Sequence, residues 1–341
     1  MLRFPSPARS IALAALVALG ATAAQAQSTV TLYGLLDVSV GQTKAPGAKA
    51  TKGVDSGNMT TSFWGVKGSE DLGGGMSAVF ALESFLRADV AAAGRFGADT
   101  FWARSAYVGL SSKGAGTLTM GRNTTSLFVN TLLFNSFGDS FGFSPAIRQT
   151  FTSSPGFPTV LTKANDVQVS GDTGWSDSVK YASPSFGGLS FTGHVAAGEA
   201  NGGRNVGISA LYFGGPFAAG FAWQKVEKGS TVSDTTAWQL GGSYNFSPVK
   251  VYAQYGSNDN KTFDNTIKVI GLGADYTIGL GKILLQWNKL SPDVGADLKT
   301  LSVGYDYQMS KRTDLYAVYM NEKKTGLSTG SSYALGIRHR F

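Results

Sequence analysis

The chain has 341 residues, no cysteine, a formal net charge of +7 and a mean hydropathy of −0.01. The missing cysteines exclude disulfides, thiolate metal sites and cysteine nucleophiles, and so mild a charge argues against a nucleic-acid partner. With 45 Gly, 21 Phe and 13 Tyr but only 15% charged residues, the composition suits a protein that is polar inside and apolar outside.

Residues 1–26 read as an export signal. Arg3 and Arg9 form a positive start, Ile11 to Leu19 an apolar run too short to span a bilayer, and Ala24-Gln25-Ala26 a small-x-small cleavage site. No later segment has the composition of a transmembrane helix. Residues 27–341 read as one domain, without a proline-rich linker, charge block or low-complexity tract.

That domain is a succession of alternating segments. In Trp238 to Phe246, Trp238, Leu240, Gly242, Tyr244 and Phe246 oppose Gln239, Gly241, Ser243 and Asn245. In Lys282 to Asn288, Ile283, Leu285 and Trp287 oppose Lys282, Gln286 and Asn288. In the last segment Tyr333, Leu335, Ile337, His339 and Phe341 oppose Ala334, Gly336, Arg338 and Arg340. A period of two means strand. Short turn-forming connections, at Gly68–Gly75, Ser112–Gly116, Ser183–Gly188, Gly214–Pro216, Asn245–Pro248, Gly279–Gly281 and Met309–Arg312, alternate with longer polar ones. Seven short and eight long connections separate 16 strands. A soluble sandwich gives no reason for that alternation, whereas a membrane barrel has short turns at one end and long loops at the other. The fold class expected is all-β, a 16-stranded antiparallel transmembrane β-barrel with an inward-folded third extracellular loop.

That loop, about residues 123–173, is the longest connection and carries Phe128, Phe134, Phe137, Phe141, Phe143, Phe151 and Phe157. Such an aromatic load suits a loop buried against the inner wall better than a disordered segment. Thr125 to Asn135 has the makings of a short helix. If Arg104 faces the lumen, strict alternation puts Ala106, Val108 and Leu110 there too, and these apolar side chains then need a cover. By the same parity Arg122 follows Leu118 and Met120 toward the rim. Arg338 and Arg340 share the lumen face near the periplasmic mouth.

The residues that carry chemistry elsewhere are sparse. His194 and His339 lie on different strands, and His194 has the parity of Ser190 and Thr192. A barrel phospholipase would need an outward histidine beside a nucleophilic serine; His339 supplies only the parity. No GxSxG or HExxH occurs, and Gly271-Leu-Gly273 lacks the rest of a dinucleotide fingerprint. The expectation is a protein with no enzymatic activity, no catalytic residues, no cofactor and no metal.

Thr31-Leu-Tyr-Gly34, Trp64-Gly-Val-Lys-Gly-Ser-Glu-Asp-Leu-Gly-Gly-Gly75, Arg104-Ser-Ala-Tyr-Val-Gly-Leu110, Thr117-Leu-Thr-Met-Gly-Arg122, Val179-Lys-Tyr-Ala-Ser-Pro-Ser-Phe-Gly-Gly188, Tyr252-Ala-Gln-Tyr-Gly256, Val303-Gly-Tyr-Asp-Tyr307, Ser310-Lys-Arg-Thr-Asp-Leu-Tyr-Ala317 and Gly336-Ile-Arg-His-Arg-Phe341 follow one another in this order. Each block alone is weak. The ordered set resembles the trimeric general-diffusion porins of β-proteobacteria over the whole mature chain.

The resemblance implies an outer-membrane, water-filled pore for passive diffusion of ions and small hydrophilic solutes. Its third loop would narrow it, with basic wall residues facing acidic loop residues. Arg104 matches a wall arginine of the family and Asp139 is the loop carboxylate. Phe63 stands where the family usually has arginine, and the region of Gly174-Trp175 lacks a second one. Lys67, Lys180 and Arg148 are the candidates to compensate, which implies a weak anion preference. The alternative is a substrate-specific channel with a saturable site, for which Phe63 and Trp175 are aromatic candidates. The resemblance further implies a homotrimer, with Gly94–Thr100 placed like a latch over a neighbour. The other partners implied are outer-membrane lipid, lipopolysaccharide and the barrel-insertion machinery, the last reading Phe341 as an assembly signal.

Overall fold

The structure, a computed structural model, describes residues 29–151, 173–198, 203–227 and 234–341. The expected export signal, residues 1–26, lies outside the described residues, as does Phe157 of the long loop.

β1 (Thr29–Thr43) opens the wall. Its first half pairs with β3 (Phe63–Gly73), and β2 (Thr51–Ser56) folds back on its second half. β4 (Met76–Arg87) returns from β3, and the two-residue β5 (Ala92–Ala93) pairs on its end. β6 (Ser105–Ser112) and β7 (Gly116–Thr124) follow. The long connection then holds helices α1 (Ser126–Leu133) and α2 (Pro145–Phe151). The remaining strands are β8 (Gly174–Ala182), β9 (Leu189–Ala196), β10 (Asn205–Gly214), β11 (Phe217–Val226), β12 (Thr235–Asn245), β13 (Val249–Asn260), β14 (Asn265–Ile278), β15 (Gly281–Pro292), β16 (Leu298–Gln308), β17 (Thr313–Lys324) and β18 (Gly330–Arg340). β18 closes on β1 from Leu35↔Arg340 to Gln42↔Tyr333. Apart from β2 and β5, the strands make a closed 16-stranded antiparallel barrel. Closure leaves no open edge, which lipid would not tolerate.

The alternation in the sequence becomes the two faces of the wall. On β18 Tyr333, Leu335 and Ile337 are 44–60% exposed, whereas Ala334 is 2% and Arg338 8% exposed. The same split recurs on β16, where Leu301, Val303 and Tyr305 point out and Thr300 and Ser302 are buried within. A side chain that faces lipid counts as exposed in the isolated barrel, so the apolar belt is the exposed set and the polar core is the lumen.

Two sequence expectations shift. The first hairpin is tighter than Gly68–Gly75. β3 runs on to Gly73 because Ser69 is still paired with both Thr29 and Val79. The turn is Gly73-Gly74-Gly75, all at positive φ (79°, 61° and 77°), which residues with a Cβ adopt only with strain. The second shift concerns Arg104. Alternation begins only at Ser105, so Ser105 is the buried inner residue, and Val108 and Leu110 are 59% and 48% exposed on the lipid side. The apolar lumen patch expected from the parity of Arg104 does not exist.

Candidate pore constriction

The described part of the long connection packs on inner-face residues far around the barrel from its own strands. Thr125 caps α1, its hydroxyl accepting from the Phe128 amide. From α1, Asn130 and Thr131 donate to Gln239 Oε1 on β12, at 2.8 and 3.1 Å, and Gln254 of β13 donates to the Thr131 carbonyl at 2.7 Å. Ser136 donates through its hydroxyl to the Leu285 carbonyl at 2.7 Å and through its amide to Gln286 Oε1 at 3.1 Å, both on β15. In α2, Gln149 reaches Thr300 on β16, and Arg148 pairs with Glu322 on β17 at 3.3 Å.

Glycines on the inner wall receive the aromatic side chains of this segment. A Cβ at Gly241 would lie 2.3 Å from the Phe134 ring, and one at Gly220 would lie 2.5 Å from it. Phe137 sits over Gly304 in the same way, at 3.2 Å. Asn135 fixes the turn between the helices, accepting from the Phe137 amide and the Ser144 hydroxyl, each at 2.9 Å.

A second segment, residues 57–62 between β2 and β3, meets this one. Its anchor is Asp37 on the inner face of β1, which is fully buried. Asp37 Oδ2 accepts from the Met59 and Thr60 amides, both at 2.7 Å, and Oδ1 accepts from the Tyr316 hydroxyl at 2.6 Å. The Asn58 carbonyl in turn accepts from the Ser140 hydroxyl at 2.7 Å and the Gly142 amide at 3.1 Å. Thr60 donates its hydroxyl to Asp139 at 3.2 Å and accepts from Arg338 at 3.2 Å.

Two charged clusters flank this junction. On one side Arg104 pairs with Glu83 at 2.5 Å and lies over the Phe63 ring, and the Tyr33 hydroxyl donates to the same Glu83. On the other, Arg338 pairs with Asp314 at 2.6 Å and with Asp306, while Arg340 shares Asp314 at 2.7 Å. Burial pushes the Asp139 carboxyl above the ordinary aspartate range. Arg104, the Thr60 hydroxyl and Arg338 pull it partly back.

A family model described as Gram-negative porin matches residues 12–327. The chain belongs to the Gram-negative porins. Outer membrane porin protein 32 of Delftia acidovorans is 30% identical over 354 residues, 96% of this chain and 94% of that one. An outer membrane porin protein of Bordetella pertussis (strain Tohama I) is 27% identical over 403 residues, 98% of this chain and all of that one. Among solved structures, an anion-selective porin from Comamonas acidovorans shares the fold with a TM-score of 0.77 at 23% identity, covering 92% of this chain and 100% of that chain. OmpT of Vibrio cholerae, folded in vitro, gives 0.65 at 14% identity, covering 94% of this chain and 99% of that one. The porin resides in the outer membrane and forms a diffusion pore.

Most of the porin's expected site residues fall into three groups. Arg104, Phe63, Asp139 and Arg338 converge on the junction just described. Lys67 and Lys180 face the lumen at a distance: Lys67 lies 4.4 Å from the Tyr33 ring centroid, and Lys180 donates to the Thr124 carbonyl at 2.9 Å. Arg340 lies with Lys311 and Lys282 around a cavity of about 500 Å³ beside the short turns.

Arg338 lines that cavity beside Arg340 and also reaches Thr60 at the junction. Two placements differ from expectation. Arg148 is buried and neutralised by Glu322, so it pins the loop rather than charging the pore. Arg122 belongs to the outer parity, opposite Ala106, and its guanidinium is bound to Ala103, Gly174 and Ser176. That parity continues the outward alternation of Leu118 and Met120, so Arg122 is not a lumen residue. Phe341, the expected assembly signal, exchanges backbone hydrogen bonds with Gly34 at 3.1 and 3.2 Å, and its ring covers that glycine.

Sequence reasoning missed the porin's acidic wall: Asp37, Glu83, Asp306 and Asp314. Their inner parity was available from the alternation of β1, β4, β16 and β17. The inward turn of residues 57–62 left no periodic signal.

Proposed function

We propose that the narrowest passage is bounded by Asp139 and Thr60 on the two inward segments, with Arg104–Glu83 on one flank and Arg338 with its two aspartates on the other. Small hydrophilic solutes and ions cross by passive diffusion, with a weak preference for anions. The single observation that carries this reading is the pairing of arginine with carboxylate: Arg104 with Glu83, and Arg338 and Arg340 with Asp306 and Asp314. Those charges nearly cancel, so the surplus comes from Lys67 and Lys180, which make no ion pair among the described residues. A few uncompensated cations in a narrow pore concentrate anions modestly. Single-channel reversal potentials in a salt gradient test this: a small potential of anionic sign is expected, and a cationic one overturns it.

The porin assembles as a homotrimer in this reading. Outside the barrel, Trp64 of β3 packs with Phe101 and Trp102 of the β4–β6 connection at 6.4 and 5.7 Å between ring centroids. An aromatic cluster on the lipid side beside the first strands suits a subunit contact. Unheated detergent electrophoresis should show a band near three times the monomer mass. A monomer in mild detergent contradicts the assignment. The chain carries out no catalysis in this reading, and a saturable site is not favoured, because the lumen aromatics Phe63 and Trp175 are covered by Arg104 and stacked on His194, respectively.

A further inference from the structure

The long connection leaves the wall at Thr124 and rejoins it at Gly174, and three contacts gather its two ends. The Lys180 ammonium on β8 donates to the Thr124 carbonyl at 2.9 Å. One residue on, the amide of Thr125, the cap of α1, donates to the Thr173 carbonyl at 2.8 Å. Trp175 of β8, 3% exposed, stacks on the His194 imidazole of β9, with 4.6 Å between ring centroids and 30° between planes. Gly207 of β10 makes room for the indole, since a Cβ there would lie 3.2 Å from its edge. Ala196 and Val226 pack with the same ring.

His194 is the odd member of this group. It is 1% exposed, yet neither Nδ1 nor Nε2 has a hydrogen-bond partner among the described residues. Buried polar side chains are normally bonded, and a ring held by stacking alone is tolerated only while neutral. Lys180 of β8 is directly opposite on one side, and Gly207 of β10 on the other, with Gln224 of β11 beyond it. Among the described residues Lys180 is the one charged group that acts on His194, and no carboxylate faces it. A proton on His194 turns both ring nitrogens into donors without acceptors. It also sets a second cation opposite Lys180, with Cβ atoms about 5 Å apart, where like charges repel. The Trp175 face attracts a cation, but it supplies no oxygen acceptor and leaves the repulsion from Lys180 in place. Turning out of the stack into lumen water relieves both costs.

We propose that His194 is a proton-operated wedge at the root of the constriction loop. Neutral, it lies against Trp175 and fixes the returning end of the connection beside the departing end that Lys180 holds. Protonated from solvent, it leaves the stack, uncovers Trp175 and loosens the root from which α1 starts. The inference concerns how steadily the loop is seated and does not depend on the sign of the pore's ion preference.

The test titrates the folded porin in mild detergent from neutral to strongly acidic pH, reading tryptophan emission, with single-channel noise followed in parallel. Wild type should show a reversible red shift as Trp175 meets water, together with noisier open-channel current. Trp175→Phe should lose the emission step, which assigns it among the protein's six tryptophans. His194→Phe keeps a stacking ring that cannot titrate; it should lose both the emission step and the acid noise, and conduct as wild type at neutral pH. His194→Gln, which also cannot titrate, provides the same reading should the phenylalanine variant not fold. Lys180→Met should bring the step on at milder acidity, by at least about half a pH unit, because the opposing charge is gone. Asp139→Asn should keep the step unchanged. Heat-modifiable migration at each pH confirms a folded barrel. A step that survives in both His194 variants, a step that vanishes in Asp139→Asn, a Lys180→Met step at stronger acidity, or a wild-type emission flat to strongly acidic pH overturns the proposal.

Discussion

Arg104 places its guanidinium 3.9 Å from the centroid of the Phe63 ring. The aromatic side chain therefore does more than leave out a charge. It holds the one arginine of this flank flat against the wall, where Glu83 completes the clamp. Arg104→Ala removes the cation and leaves Glu83 uncompensated at the passage. An unscreened charge about 4 Å from a passing ion is worth ~1 kcal/mol even in a water-like medium. The anion-to-cation permeability ratio should therefore fall roughly fivefold, read as a reversal-potential shift in a salt gradient. Arg340→Ala should shift it less, because Arg340 lies by the mouth and Asp314 keeps Arg338 as a partner. Equal shifts from the two variants would contradict the assignment.

Phe63→Arg and Glu83→Gln should both act in the opposite direction. The first adds a cation to this flank, and the second frees Arg104 from its counter-charge. Each should raise anion preference, and Glu83→Gln combined with Arg104→Ala should return close to the wild-type potential. A double variant that behaves like Arg104→Ala alone would show that the pair does not face the passing ion.

The barrel was legible in the sequence because its signal is repeated. Alternation on β12, β15 and β18 and the strict short-long rhythm of connections specify strand number and face without any tertiary knowledge. Where alternation breaks, the reading broke with it. Arg104 sits one residue before β6 begins. The loop contacts were illegible for a different reason. The glycines that admit Phe134 and Phe137, at 220, 241 and 304, look like any other strand glycine until the ring is placed over them.

Those glycines give a steric prediction. A Cβ on Gly241 would stand 2.3 Å from the Phe134 ring, well inside contact distance. Gly241→Val must therefore push α1 away from the wall and toward the centre of the pore. Single-channel conductance should drop, and the barrel should lose about 1–3 kcal/mol of stability from overpacking, seen as a lower temperature for heat-modifiable migration. Gly242→Val, on the outer face with no atom closer than 3.7 Å, should leave conductance unchanged. A conductance equal to wild type in Gly241→Val would mean that the loop does not set the pore width.

Asp37 tests the second inward segment. Its carboxylate is the acceptor for two backbone amides and the Tyr316 hydroxyl. Asp37→Ala strands those donors, each worth about 1–3 kcal/mol if left buried and unpaired. Residues 57–62 should then detach, taking away the Asn58 carbonyl that holds Ser140 and Gly142. Current traces should show more frequent brief closures and broader open-channel noise. Tyr316→Phe, which removes one of the three hydrogen bonds, should show a smaller effect in the same direction. Quiet traces from Asp37→Ala would place the tether elsewhere.

The last prediction concerns pH. Asp139 lies on the loop rather than on a spanning strand, and burial raises its carboxyl above the ordinary aspartate range. The sign follows from which form carries charge. Above its pKa Asp139 is an anion facing Arg104 and Arg338 and opposes anion entry. As pH falls through that raised value it takes up a proton, and one negative charge leaves the passage while the arginines stay charged. Anion preference should therefore rise on acidification, beginning at a higher pH than an exposed aspartate would allow. Asp139→Asn should fix the preference near the wild-type low-pH level and remove that step from the curve of reversal potential against pH. The difference between the two curves isolates Asp139 from the other carboxylates of the wall, which titrate in both proteins. If the curves run parallel, with Asp139→Asn shifted by a constant amount down to strongly acidic pH, the carboxyl is not raised. If they coincide throughout, Asp139 does not face the permeating ion.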